Sequence, residues 1–300
     1  MDTRKTSSTN VANHPKRPNV QKTNRLFSMI TDAPSEIIEI DWLKLGAQKV
    51  DIDDTIYEIE EDEDGDIWLK IDGEDIEAVE KKEPMNRIME RLLDQVLGGR
   101  TVKVELLSFL DHQSIAYSTQ TDIKLQVKHL KLPRIQHDTP CNTIGPLLDA
   151  RYLPLKSVEV QNEEYLNDVL IGNAKKVIVS NVSTATIARF DWQRVHRKCR
   201  GTMLIEEIVD VWQSCQPANG KRYSCDVTRI EAVEMMFWNL SGDHPQYNVR
   251  YSVGNADLGE RSIPLSAKFK LNQTTKVKVT VRKPSKRQHQ RYYQVHIETI

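Results

Sequence analysis

Residues able to do chemistry are scattered through the chain and rarely converge. His196 and Cys199 stand three apart, a spacing that could share a metal ion. The next cysteines, Cys215 and Cys225, are separated by nine residues and are not paired as a knuckle. A structural zinc needs four ligands from short paired spacings, so no metal site is expected. Gly220-Lys221 lacks the upstream glycine and the following Ser/Thr of a phosphate-binding loop. No G-x-S-x-G nucleophile elbow and no H-E-x-x-H pair occur. Glu60–Ile71 spans an Asp/Glu-rich stretch with Gly65 at the sixth place of a calcium loop. The twelfth place is Ile71, where a bidentate Glu is required. Asp53 and Asp54 could do paired acid–base work, but in so acidic a stretch they read as solvated turn residues. Trp192 and Trp212 read as core residues rather than ligand platforms. Thus no catalytic, cofactor-binding or metal-binding residue is assigned.

One cluster fits ligand binding. Lys283, Lys286, Arg287 and Arg291 lie between two terminal strands and are followed by Tyr292-Tyr293. Basic side chains beside aromatics can track a nucleic-acid backbone and stack its bases. Against that stand a sequence pI near 6.7 and the lack of any RNA-binding module pattern, so the loop reads rather as a solvated hairpin connection, or one docking on the acidic residues 51–83.

Charge is strongly segregated although it sums to −1. The first 25 residues carry six Lys/Arg and one Asp, residues 51–83 carry sixteen acids and three bases, and residues 268–291 carry nine Lys/Arg and no acid. Such asymmetry favours contacts within the chain or with a charged protein partner. Four cysteines without framework spacing suit a reducing cytoplasmic or nuclear setting. There is no apolar run long enough for a membrane span, and the N-terminus has no signal-peptide core.

The elements that would position these residues follow from periodicity. Residues 1–33 form a basic leader, nearly devoid of apolar side chains through residue 25 and expected to be disordered. Residues 34–100 read as a β-rich part ending in a helix. Ile56, Tyr57 and Ile59 face Ile67, Leu69 and Ile71 across a hairpin with a type I′ signal at Asp64-Gly65. Pro84 opens the helix, Ile88, Met89, Leu92, Leu93, Val96 and Leu97 form its apolar face, and Gly98-Gly99 stops it.

From residue 101 onward the chain is quasi-repetitive. Strand-like pieces at Val102–Phe109, Leu125–Leu132, Leu155–Val160 and Lys175–Ser180 start 23, 30 and 20 residues apart, near the leucine-rich-repeat range. Helical pieces are expected at 143–152 and 163–173, the second capped by Asn162. Leu155–Val160, this helix and Val177–Val179 read as a strand–helix–strand unit with a parallel crossover. Two amphipathic helices follow, one with Ile208, Val209 and Trp212 inward, the other with Val233, Met236, Phe237 and Leu240. The chain closes on a hairpin of Val277, Val279 and Val281 with Tyr293, Val295 and Ile297. The fold class is therefore α/β (α+β): an irregular leucine-rich-repeat-like αβ array, with a β-rich N-terminal part and a C-terminal β-hairpin.

Several stretches resemble a known family. They are Val50–Glu60 (VDIDDTIYEIE), Leu92–Phe109 (LLDQVLGGRTVKVELLSF), Leu153–Val160 (LPLKSVEV), Asn173–Asn181 (NAKKVIVSN) and Arg194–Val227. They look like a nematode-specific family of unknown function related to F-box proteins with a type 2-like F-box-associated C-terminal domain. The resemblance covers about residues 34–300 and implies an F-box-associated-like domain at 101–300. It also implies a substrate-recognition role in a ubiquitin-ligase context, with no catalytic residues to carry over. An F-box needs a three-helix segment upstream of the shared region. Only some thirty-three residues precede it, and within them only Leu26–Ile30 is apolar. The expected function is a non-enzymatic protein-interaction module without a recognisable F-box, its partner an unidentified protein, with docking to a cullin adaptor in doubt. The alternative is nucleic-acid binding through the basic C-terminal loop.

Overall fold

A computed structural model describes residues 37–79, 83–134, 144–190, 192–198, 205–215, 217–242, 250–255, 262–282 and 293–300. The basic leader lies outside them. The fold is mixed α/β, and its strands join one sheet that runs unbroken past position 100.

At one end is an antiparallel meander: β1 (Ile37–Gly46), β2 (Lys49–Ile52), β3 (Thr55–Glu61), β4 (Ile67–Ile71) and β5 (Glu74–Val79). Helix α1 (Met85–Leu97) follows. Then come β6 (Thr101–Phe109), α2 (His112–Ser118), β7 (Leu125–Lys131), β8 (Ser157–Val160), α3 (Val169–Gly172) and β9 (Val177–Val179). Next are α4 (Thr184–Arg189), β10 (Arg194–Arg197), α5 (Ile205–Cys215), β11 (Arg222–Val227) and α6 (Ile230–Gly242). A second antiparallel meander ends the chain: β12 (Arg250–Asn255), β13 (Ser262–Lys270), β14 (Lys276–Arg282) and β15 (Tyr293–Thr299).

Strands β1 and β6 to β11 are all parallel, each beside the next, and β15 joins antiparallel to β11. The expected crossover from β8 to β9 is thus present. Register follows from the apolar pattern, because a one-residue slip would turn every core side chain outward. Leu43, Leu107, Leu130, Val158, Val177, Val195, Tyr223, Ile297, Val279 and Ala267 pair in one unbroken row across ten strands. All ten are buried and share one hydrophobic cluster with the inward faces of the helices. Each large member contributes about 1.5–3 kcal/mol by leaving water.

The expected core face of α1 is buried as read. Pro84 is its N-cap, and Gly99 adopts a left-handed conformation just beyond Gly98. Asp111 is a two-way tie. One oxygen accepts the Ser114 amide at 2.8 Å and caps α2, and the other accepts the Ala47 amide at 2.7 Å in the β1–β2 turn. The buried Tyr117 hydroxyl donates to the Gly46 carbonyl at 3.0 Å and locks the same turn.

Three local expectations are corrected. The 163–173 helix is a 3-10 segment, Glu163–Asn167, followed by the short α3. Asn162 makes no side-chain cap bond. Asp168 interrupts the segment and caps α3 instead, accepting the Leu170 amide at 2.7 Å. The 143–152 helix is two 3-10 turns, Gly145–Leu147 and Ala150–Tyr152; Pro146 has no amide to donate. The β3–β4 hairpin exists, but its loop is not type I′. The Gly65 amide bonds the Asp62 carbonyl and the Asp62 amide bonds Asp66, with Gly65 left-handed, which is a type I turn closed by a glycine bulge. The two-residue left-handed turn is at Asp72-Gly73, with φ values of 52° and 86°.

Candidate functional site

Each strand shows alternate side chains on the face opposite the buried row. Two rows of them align across the C-terminal half of the sheet. In the first row, Lys268, Lys278, Glu298, Arg222 and Arg194 pair strand to strand, and Lys176 stands just before β9 beside Arg194. The second row is Ser266, Thr280, His296, Ser224, His196 and Ile178. Five cations and one acid thus flank a row of hydroxyls, imidazoles and one isoleucine.

Pairing within this face is incomplete. Arg222 bonds Glu298 at 2.7 Å and Lys198 bonds Glu159 at 2.6 Å. Lys176, Arg194, Lys268 and Lys278 make no ion pair among the described residues. Burial lowers the Lys176 ammonium below its usual pKa, and Lys198 and Arg194 lower it further against the pull of Asp226. Burial likewise pushes the His296 imidazole down to about 4, with the positive charges of Arg282, His196 and Lys176 acting in the same direction. Its Nε2 is buried and has no hydrogen-bond partner among the described residues.

Between the cations sits a polar constellation. His196 Nδ1 lies 2.9 Å from Ser224 Oγ, and its Nε2 lies 3.3 Å from Asp226 Oδ2. Gln294 donates to the other Asp226 oxygen at 3.2 Å. Burial would raise the Asp226 carboxyl, but His196, Gln294 and Lys176 together hold it below the usual range. Ser, His and Asp invite a nucleophilic reading. Ser224, however, sits mid-strand between β10 and β15, and backbone N–H groups of this strand are committed to the two flanking ladders. An oxyanion hole needs spare donors at the nucleophile, so this trio orders the sheet face. A second His–Ser pair, His129 with Ser157 at 2.6 Å, bridges β7 and β8 in the same way.

A cleft of about 580 Å³ opens elsewhere, where the loops after β7 and β8 meet. Leu153, Pro154, Val169 and Leu170 give it an apolar wall, with Asp168 and Asn173 as polar members.

The sequence-derived candidates fall as follows. Lys283, Lys286, Arg287 and Arg291 lie outside the described residues, as does Cys199. Asp53 is a turn residue with φ 51°, and its Oδ1 accepts the Asp41 and Trp42 amides, each at 2.9 Å. Asp62 turns its oxygens onto the Asp64 and Asp66 amides and the Trp68 indole. The buried Lys221 donates to the Phe190 carbonyl at 2.5 Å and supports the fold. Trp192 is buried and stacked on Phe190, and Trp212 is buried in α5. Among the described residues no three His, Cys, Asp or Glu side chains converge as a metal site would require. Among them, too, no helix is long and apolar enough to cross a membrane. The two-row face was missed because its members come from six strands. The available signal was the outward position in each strand, which is basic in β10, β11, β13 and β14.

No curated protein and no solved structure matches the chain. One family does: residues 84–229, from the N-cap of α1 to just past β11, match the model of a domain of unknown function, DUF3557.

Proposed function

We propose that this protein is a non-enzymatic interaction module that meets its partner on the outward face of the sheet. The observation that carries the reading is the pair of aligned rows, a cationic one beside a hydroxyl and imidazole one. Among the described residues Arg194, Lys268 and Lys278 make no ion pair, and Lys176 has only the attraction of Asp226. Unpaired like charges held on a rigid sheet raise the energy of the free protein, and a partner of opposite sign relieves it.

Two finer readings belong to this proposal. The parallel strands β6 to β11 are read as leucine-rich-repeat-like, supported by their sequential order and by the Φ-x-x-Φ-x-Φ pattern of Val104–Phe109, Val127–Leu132 and Leu155–Val160. The chain as a whole is read as a relative of the nematode F-box-associated proteins, supported by the motifs quoted above. On that reading it supplies substrate recognition in a ubiquitin-ligase context.

Affinity capture with the tagged full chain, followed by mass spectrometry, tests the module. Protein partners retained after nuclease treatment are expected. Recovery of nucleic acid alone, or of nothing, refutes it. Recovery of a cullin adaptor supports the ligase version, and partners without that adaptor leave the plain binding module.

A further inference from the structure

The geometry points to an acidic peptide segment, about seven residues long and extended, as the partner element that lies across β9, β10, β11, β15, β14 and β13. This inference rests on the interaction-module reading and names the chemistry of its partner.

Length follows from the sheet. Six strands about 4.8 Å apart make a row about 24 Å long, and an extended peptide covers that with roughly seven residues. Charge follows from the face: Lys176, Arg194, Arg222, Lys278 and Lys268 stand in one row with Glu298, which is bonded to Arg222. Of the nearby carboxylates, Asp226 is held by His196 and Gln294 and Glu159 by Lys198, which leaves a cationic excess. The adjoining row places the Thr280 hydroxyl beside Lys278, so a carboxylate seated over the cations meets a hydroxyl donor as well as charge. Ile178 gives the row one apolar contact.

The same two rows argue against single-stranded nucleic acid. Neither contains a Phe, Tyr or Trp, and sequence-tolerant binding of bare strands depends on aromatic rings that stack bases. Acidic sequence also exists within this chain, at the β3–β4 hairpin. A second copy is therefore the alternative occupant to be tested.

The test uses the full chain and three fluorescein-labelled probes: an eight-residue peptide of alternating Glu and Ser, its Gln counterpart, and an octathymidylate. Anisotropy at low salt is expected to show binding of the Glu peptide that weakens as salt rises, with little binding of the Gln peptide. Arg194→Glu with Lys278→Glu should weaken it roughly tenfold or more. The milder Arg194→Gln with Lys278→Gln should weaken it by about threefold, which keeps the test valid should charge reversal prevent folding. Arg91→Glu on α1 should leave it unchanged. Equal binding of the two peptides, tighter binding of the oligonucleotide, or no effect of either double variant overturns the inference. So does concentration-dependent self-association abolished by the same variants, which would assign the face to a second copy. If the double variants still capture the protein partners found with the natural chain, the acidic-peptide inference fails while the interaction module stands. If the natural chain captures no protein, the module itself fails.

Discussion

Replacing His296 with Gln should flatten the acid side of the stability curve. The ring sits on β15 between Ser224 and Thr280, and it feels Arg282, His196 and Lys176 as positive neighbours and Asp226 as a negative one. Burial and those cations hold its pKa at about 4, against 6.5 in the unfolded chain. The folded state therefore takes up its proton later than the unfolded state. Stability is fully present above pH 6.5 and is lost as the pH falls toward 4. One pKa unit is about 1.4 kcal/mol, so the full shift has a ceiling of about 3 kcal/mol, of which about 2 would be lost by pH 5. The ring is half-buried and solvent screens part of the effect, which leaves roughly 1 kcal/mol. Urea unfolding of the full chain at pH 7.5 and pH 5.0 measures it. At pH 5 most carboxylates remain ionised, and the other histidines are common to both proteins. The natural chain should lose about 1 kcal/mol more than His296→Gln between the two pH values. An equal loss would show that His296 titrates normally and that the cationic face does not act on it.

Three further substitutions probe the fold. Gly98→Ala places a Cβ 2.1 Å from the Asp94 carbonyl oxygen and should cost about 1–3 kcal/mol in a thermal melt, whereas Gly145→Ala, with nothing within 4 Å, should be near neutral. Tyr117→Phe leaves the Gly46 carbonyl without its donor in a buried site and should cost about 1–2 kcal/mol in urea unfolding. It should also remove part of the alkaline instability above pH 10, because burial raises the phenol's pKa in the folded state only. Leu130→Ala opens a cavity in the ten-strand row at about 2–5 kcal/mol, while Lys131→Ala, one residue along on the open face, should stay within about 0.5 kcal/mol.

The parallel strands with strong apolar alternation were legible before any coordinates. Val102–Phe109, Leu125–Leu132 and Leu155–Val160 each bury two or more large side chains, and hydrophobic period alone places them. Strand β10 has only Val195 among Arg194, His196 and Arg197, so its pattern is too weak to separate from a loop. Strand β12 carries Ser, Gly and Asn with only Tyr251 and Val253 apolar, and pairing with β13 holds it. Strand β13 does alternate through Ile263, Leu265, Ala267 and Phe269, but Pro264 within it argues against a strand. The two Asp-Gly dipeptides teach the same lesson. Asp64-Gly65 and Asp72-Gly73 are locally alike, yet only the second forms the two-residue left-handed turn. Pairing of Glu61 with Ile67 leaves five residues in the first loop, and pairing of Ile71 with Glu74 leaves two in the second. Turn type is thus set by where the strands stop pairing.

The candidate site was illegible for a related reason. A catalytic or metal site often announces itself through short spacings, because one loop or helix supplies several of its groups. Here each strand contributes one outward side chain per row, and the members are brought together by ladders spanning residues 176 to 298. His196 and Ser224 are 28 positions apart, as are His129 and Ser157, although different crossovers separate them. No single window of sequence contains either pair. What composition does reveal is the excess of Lys/Arg over residues 268–291, which sequence reasoning places in the loop at 283–291. The sheet gives that excess a second address, since Lys268 and Lys278 align with Arg222 and Arg194 from a distant part of the chain. A cationic loop in solvent exchanges its counter-ions freely. A cationic row on a rigid sheet cannot spread its charges apart, so the fold itself fixes the spacing that the proposed acidic segment would have to match.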